Sequence, residues 1–399
     1  MEILASPFGE LSLQRMPLTR NDPLRAWDAA DEYLLQHLQP QHNQPLPAFH
    51  NAKRILVIND QFGALSLALS LANQGDNKQQ IISWGDSKLS ELALAHNCQF
   101  NTIAKPVQYL PSTQQPDGTF DLVIIKVPKV LGLLEHQLIG LRPFINQGST
   151  IIAAGMSKHI HSSTLKTCVR IIGTTTTSLA VKKARLVFIS PTIKADKQHD
   201  LHPTLTASPY PVVYDEPTLG ITLSNHANVF SKEKLDIGAR FFIENFHQLP
   251  KACENVIDLG CGNGVLTVMA GKQLPKAQFH LLDESYMAIA SAQQNCQQSL
   301  DKQQCHFYIS DCLSQYTGPK ADLILCNPPF HQQHTVGDQI AWRMFKQSAA
   351  QLSSEGQLWV VANRHLGYHQ KLKRLFKYCK TVAANKKFVI LQASHHSPN

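Results

Sequence analysis

Short apolar runs of strand length recur along this chain, and stretches with helical spacing of apolar positions fall between them. The runs at 54–58 and 122–125 in the first half, and at 254–260, 279–283 and 322–326 in the second, are broken by polar residues long before they reach a membrane span. Strand-like runs alternating with helical ones predict an α/β protein with a doubly wound, mostly parallel sheet. Residues 210–214 and 220–223 have the alternation of a pair of strands. Residues 21–39 read as a helix, with Asp22 as its cap and Pro23 in its first turn.

The two halves repeat one another. Residues 81–87 followed by Asn97 match 279–285 followed by Asn295 at equal internal spacing. Asp121-Leu122-Val123-Ile124-Ile125-Lys126-Val127-Pro128 lies over Asp322-Leu323-Ile324-Leu325-Cys326-Asn327-Pro328-Pro329, and 148–154 lies over 356–362. Three matches in one order predict two copies of one fold. The copies differ in chemistry. Where the second has Asp258-Leu259-Gly260-Cys261-Gly262-Asn263-Gly264, the first has Asn59-Asp60-Gln61-Phe62-Gly63-Ala64-Leu65, with a single glycine and less room for a ligand to approach the backbone. Where the second has Asn327-Pro328-Pro329-Phe330, the first has Lys126-Val127-Pro128-Lys129. The first copy is therefore expected to be non-catalytic.

A length of 399 residues suits two domains. The prolines that gather between Ser190 and Pro217 suggest a first domain over 1–190, a linker over 191–217 and a second domain over 218–399. The N-terminus lacks a basic start followed by an apolar core, so a cytoplasmic protein without a membrane segment is expected. The nine cysteines are scattered, with no C-x-x-C pair, which argues against disulfides and against a metal site. Net charge is +8, which suits a polyanionic partner. Two stretches carry basic residues and no acidic one. The first, 158–187, includes Lys182, Lys183 and Arg185, and the second, 371–387, includes Lys371, Lys373 and Arg374. Phe376, Tyr378 and Phe388 are interleaved with the second run, as aromatic residues that stack on bases or that pack inward.

Candidate chemistry sits in the second half. Gly260, Gly262 and Gly264 follow a strand and open a helix, a turn that lets a ligand approach the backbone. Alone it is compatible with a dinucleotide, a nucleotide or the needs of the fold. Asp283 ends the next strand, nineteen positions after Gly264, where a carboxylate can accept both ribose hydroxyls, with Glu284 as its neighbour and rival. Asp311 ends a third strand, as an acceptor for an adenine amino group or as a helix cap. In this order the motifs resemble those of class I S-adenosylmethionine methyltransferases. That resemblance implies S-adenosyl-L-methionine as cofactor, with Asp258 and Gly260 near its amino acid part, Asp283 on the ribose and Asp311 near adenine.

The most specific feature is Asn327-Pro328-Pro329-Phe330 at the end of an apolar strand. The nitrogen of an exocyclic base amine is a poor nucleophile because its lone pair is delocalised into the ring. Accepting hydrogen bonds from the NH₂ group while aiming its nitrogen is what an enzyme can do for it. The Asn327 side-chain oxygen and the Pro328 carbonyl are suitable acceptors, held by prolines that fix the backbone. Phe330 can stack on an unpaired base.

This motif resembles that of methyltransferases acting on adenine N6, guanine N2 or a glutamine amide. Residues 331–334, the stretch from Gly356 to Arg364, and 228–231 followed by 235–240 are similar to the bacterial ribosomal RNA guanine-N2 methyltransferases. The resemblance covers nearly the whole chain. It implies two tandem class I, Rossmann-like methyltransferase domains, the N-terminal one degenerate and concerned with positioning RNA. Within the family the likeness is greatest to members acting on 23S rRNA, and His331 and Arg364 join the basic residues above as expected RNA contacts. A small-subunit 16S rRNA substrate, a glutamine substrate and a non-catalytic RNA-binding assembly factor are the competing readings. A departure from the family is that Ala393-Ser394-His395-His396-Ser397 forms no basic tail, which leaves any tail contact with RNA in doubt.

Overall fold

A computed structural model describes residues 2–19, 22–39, 48–73, 79–192, 208–329 and 334–397. The chain forms two compact units, Met1–Tyr210 and Pro211–Asn399.

The first unit opens with a hairpin of β1 (Glu2–Ser6) and β2 (Gly9–Leu13), then α1 (Ala29–His37) and α2 (Ala48–Asn51). Next come β3 (Arg54–Ile58), α3 (Ala64–Ala72), β4 (Gln80–Gly85), α4 (Lys88–Phe100), β5 (Gln108–Pro111) and β6 (Leu122–Lys126). It closes with α5 (Leu131–Leu141), β7 (Thr150–Met156), α6 (Ser162–Ile171), β8 (Gly173–Thr177) and β9 (Ala184–Pro191). The second unit repeats this plan. A hairpin of β10 (Val212–Glu216) and β11 (Ile221–Asn225) precedes α7 (Ile237–Glu244), β12 (Asn255–Leu259), α8 (Val265–Gln273), β13 (Gln278–Asp283), α9 (Tyr286–Ser299) and β14 (Cys305–Ile309). Then follow β15 (Ala321–Cys326), α10 (His334–Gln351), β16 (Leu352–Asn363), α11 (Tyr368–Leu372), β17 (Tyr378–Ala384) and β18 (Phe388–Ser394).

The sheets have equivalent orders, β5-β4-β3-β6-β7-β9-β8 and β14-β13-β12-β15-β16-β18-β17. In each the first five strands are parallel, and the strand after them is antiparallel. The central strands are apolar on both faces because helices cover both. Core side chains accordingly form one cluster on each side of each sheet.

The repeat extends to single atoms. Asp121 Oδ2 accepts from the amides of Lys53 and Arg54 at 2.7 and 3.0 Å, and Asp322 Oδ2 accepts from those of Glu254 and Asn255 at 3.0 and 3.1 Å. Asn97 clasps both backbone groups of Gln14 and donates to the Phe62 carbonyl. Asn295 likewise clasps both backbone groups of Ser224 and donates to the Asn263 carbonyl. The hairpin in front of each sheet is thus part of the repeated unit, tied by an asparagine to the turn after the first sheet strand. Ile55 is opposite Leu122 and Val256 opposite Leu323, so Asn59 occupies the place of Gly260, Gly63 that of Gly264 and Lys126 that of Asn327. This register moves the match of the glycine turns two residues away from the one read in the sequence.

One further detail differs from expectation. The first helix starts at Ala29, because Asp28 caps it and Asp31 closes a reciprocal capping box. Asp22 instead accepts from the Leu24 amide at 3.0 Å and pairs with Arg15 at 3.6 Å. In the proline-rich junction, 212–216 is a strand of the second unit, paired with Ile221–Asn225 as the alternation suggested. All nine cysteines are free thiols, and no metal-binding cluster occurs among the described residues. No helix among them is long and apolar enough to cross a membrane.

Candidate functional site

In the second sheet the chain leaves β12 towards β13 on one side and returns to β15 on the other, so the carboxyl ends of β12 and β15 border a crevice. The glycine turn follows β12. The amides of Gly260 and Cys261 donate to the Leu282 carbonyl at 2.8 and 3.0 Å, which folds the turn over the end of β13. Gly262 has a φ of 55°, and a side chain there would meet no atom within 4 Å, so the backbone lies open to a ligand. Gly264 serves packing. Its φ is 77°, and a Cβ would stand 3.1 Å from that of Ala292 in α9.

Asp258 lies beneath this turn and is fully buried. Its Oδ2 accepts from the Thr267 hydroxyl and amide at 2.8 and 3.2 Å, whereas its Oδ1 is buried without a hydrogen-bond partner. Burial pushes its pKa up to about 7. A cationic ligand group would relieve both the unpaired oxygen and the cost of ionisation. Asp283, half-buried, accepts from the Gly262 amide at 2.9 Å and from the Ser285 amide at 3.0 Å. It is thereby held against the open glycine. Open backbone, a buried unpaired carboxylate oxygen and a second carboxylate beside them fit a cofactor that carries an amino acid and a ribose.

Asp311 is buried and forms an ion pair with Arg343 of α10, which also donates to Cys312 Sγ at 3.5 Å. Burial raises the Asp311 pKa, against the opposing pull of the guanidinium. Arg343 was not apparent from the sequence. It lies 32 positions from Asp311, with no motif around it, and its Nε is buried without a partner.

Leu259 is paired with Cys326, so Asn327 follows the strand next to the one that carries the glycine turn. The spacing between neighbouring strands is about 4.8 Å. Asn327 Oδ1 is buried and has no hydrogen-bond partner. The crevice therefore has an unfilled acceptor one strand away from its open glycine backbone. Phe330 and His331, singled out in the sequence, lie outside the described residues.

Comparison with known proteins gives the lineage. The RLMG N-terminal domain matches residues 1–193, and the Methyltransferase small domain matches 220–392. A ribosomal RNA large subunit methyltransferase G of Ectopseudomonas mendocina is 45% identical over 399 residues, covering 99% of this chain and 100% of its own. That of Stutzerimonas stutzeri is 46% identical over 398 residues, covering 98% and 99%. The chain belongs to the ribosomal RNA large subunit methyltransferase G family. Its fold is shared with a T. thermophilus 16S rRNA N2 methyltransferase solved in complex with AdoMet and guanosine, at a TM-score of 0.75 and 19% identity, over 99% of this chain and 98% of that one. The repeat predicted two copies of one fold and the resemblance implied that they are methyltransferase folds; the two equivalent sheets and the shared fold agree with both.

In this family member the basic residues divide by unit. Lys182, Lys183 and Arg185 are exposed on and after the turn that joins β8 to β9, where Lys182 pairs with Glu32 at 3.1 Å. Arg364, Lys373 and Arg374 are exposed beyond the carboxyl end of β16, while Lys371 is tied to Asp338 of α10. Phe376 and Phe388 are buried, which settles their role as packing, and Tyr378 keeps an exposed ring beneath the Lys377 ammonium at 5.5 Å.

Proposed function

We propose that this chain methylates the exocyclic N2 amine of a guanine in 23S rRNA, with S-adenosyl-L-methionine as cofactor and the chemistry confined to its second unit. The observation that carries this reading is the buried, unpartnered Asn327 Oδ1 beside the glycine turn. When bound, the cofactor supplies an electrophilic sulfonium methyl. The turn of Gly260 and Gly262 leaves room for it at the open Gly262 backbone, Gly264 lets that turn pack on α9, Asp258 Oδ1 receives its cationic amino acid portion, Asp283 takes the ribose and Asp311 the adenine edge. Asn327 Oδ1 and the Pro328 carbonyl accept from the guanine NH₂ and turn its nitrogen to the methyl, and Phe330 stacks on the extruded base. Alignment of this kind can lower a barrier by roughly 7–11 kcal/mol. His331, Arg364, Lys371, Lys373 and Arg374 hold the RNA near the site. The first unit, with Lys182, Lys183 and Arg185, positions the rRNA in the cytoplasm where ribosomes are made.

The test is labelled methyl incorporation into unmodified 23S rRNA, with release factor as the alternative acceptor. Asn327→Ala should lower kcat at least a hundredfold while the cofactor still binds. Asn327→Asp, which keeps an acceptor, should retain more activity than the alanine variant. Near-normal turnover by Asn327→Ala would remove the amine acceptor from this account.

A further inference from the structure

The second unit has a cleft that the reaction above does not use. It measures about 180 Å³ and lies where β16 ends and β18 begins, against the start of α7. Ser231, Lys234, Asp236, Asn363, Lys387 and Phe388 line it. Asn363, the last residue of β16, is only 8% exposed, and its Oδ1 is buried with no hydrogen-bond partner. A buried acceptor left unpaired costs on the order of 1–3 kcal/mol, so an amide oxygen kept in that state at a cleft points to a ligand that brings an N–H donor. Lys234 and Lys387 are exposed at the rim. The Asp236 carboxylate accepts from the Ala239 amide at 2.9 Å and offsets one of these charges, so the two lysines leave one positive charge in excess at the rim.

Sheet register fixes where this cleft stands relative to the methylated base. Cys326 is opposite Val360, so Asn327 falls beside Val361, and Asn363 is two residues further along the neighbouring strand. Strand spacing and rise then put the two asparagines roughly 8 Å apart along the backbone. The strand of the glycine turn lies on the other side of β15. The cleft is thus beyond the target amine as seen from the methyl donor, and Asn327 does not line it. Its volume admits a single heterocyclic ring.

We propose that this cleft is a second nucleobase subsite, which takes the base of the nucleotide that flanks the methylated guanine. A ring or amino N–H of that base donates to Asn363 Oδ1, and the adjoining phosphate lies between Lys234 and Lys387. The asparagine reads sequence and the lysines position the backbone. The proposal rests on the reading of the chain as an rRNA guanine-N2 methyltransferase.

The experiment uses the full chain, labelled cofactor and unmodified 23S rRNA fragments in which each base flanking the methylated guanine is replaced in turn. Absence of incorporation by the wild-type protein would overturn the function itself, and the subsite with it. With an active wild type, Asn363→Ala should raise KM for RNA by about ten- to a hundredfold, leave kcat and cofactor binding unchanged, and erase discrimination among the flanking bases. Lys387→Ala should reduce the slope of log affinity against log salt by about one and leave that discrimination intact. The subsite is overturned if Asn363→Ala keeps the wild-type KM and base preference, or if its loss falls on kcat or cofactor affinity. An unchanged salt slope in Lys387→Ala overturns the phosphate contact. Should Asn363→Ala lose its cooperative melt, the exposed Lys387 position carries the test alone.

Discussion

At the scale of single residues, the site is defined by side chains that the fold leaves incompletely satisfied. Asp258 is the sharpest case. Burial holds its carboxyl at a pKa of about 7, above the ordinary 3.8. Because the folded-state pKa is the higher one, the protonated group favours the fold at low pH, and that contribution is lost as pH rises from about 4 through 7. At the proposed cofactor site binding should run the other way, since the ionised form is the one that would hold a cationic amino acid group. Affinity for S-adenosylmethionine should therefore rise about tenfold between pH 6 and pH 8, as the ionised fraction does. Calorimetric titration across that range checks it, and a flat profile in the wild type would remove Asp258 from the cofactor site. Asp258→Asn should lose the pH dependence. That the glycine turn, Asp258, Asp283 and Asn327 would gather at the carboxyl ends of neighbouring strands was legible in the sequence, because each belongs to a short contiguous motif at the end of an apolar run. Arg343 and Asn363 were not. The first matters only through an ion pair across 32 residues, and the second only because neighbouring strands leave its amide unpaired.

Among the elements, the two hairpins show how a sheet and its ligand turn are locked together. Asn295 makes three buried hydrogen bonds, accepting from the Ser224 amide at 2.8 Å and donating to the carbonyls of Ser224 at 3.0 Å and Asn263 at 2.9 Å. Asn295→Ala strands three buried backbone groups, each worth about 1–3 kcal/mol when left unpaired. The variant should unfold at a clearly lower urea concentration with an unchanged m-value. Because Asn263 belongs to the glycine turn, cofactor affinity should fall as well. A variant with wild-type midpoint and wild-type affinity would show that the hairpin is not coupled to the turn. The sequence displayed Asn97 and Asn295 at equal spacing but not what they hold, because the hairpins themselves share no residue pattern. For a similar reason the first helix began later than expected. Asp22-Pro23 has the composition of a helix start, yet the reciprocal pair Asp28 and Asp31 satisfies more of the orphaned amides. The second basic run looked uniformly available from its charge, but α10 supplies Asp338 to Lys371, a contact visible only in three dimensions.

For the whole molecule, the question is what became of the first copy's site. The repeat was readable from spacing alone, and so was the loss of its motifs, but the sequence did not show that the space had been filled. Asn59, in the place of Gly260, donates to the Lys126 carbonyl at 3.1 Å and exchanges hydrogen bonds with Gln137 at 2.9 and 2.7 Å. Lys126, in the place of Asn327, is bound to Asp28 and Asp31 at 2.8 and 2.7 Å. Burial pushes the Asp31 pKa up to about 6, and Lys126 offsets that rise, so neither partner is available to a ligand. At Gly85, the counterpart of Asp283, a Cβ would stand 2.8 Å from the Tyr109 hydroxyl, which is itself engaged with both backbone groups of Ser87. Where the second unit has an open turn, an unpaired oxygen and a carboxylate, the first has an interlocked set of its own side chains. The chain should therefore bind one S-adenosylmethionine, not two. Isothermal titration should give a stoichiometry near one, and Asp283→Ala should weaken that single site without uncovering another. A stoichiometry near two, or binding of wild-type strength that survives Asp283→Ala, would mean that the first unit keeps a working cofactor site despite its filled crevice.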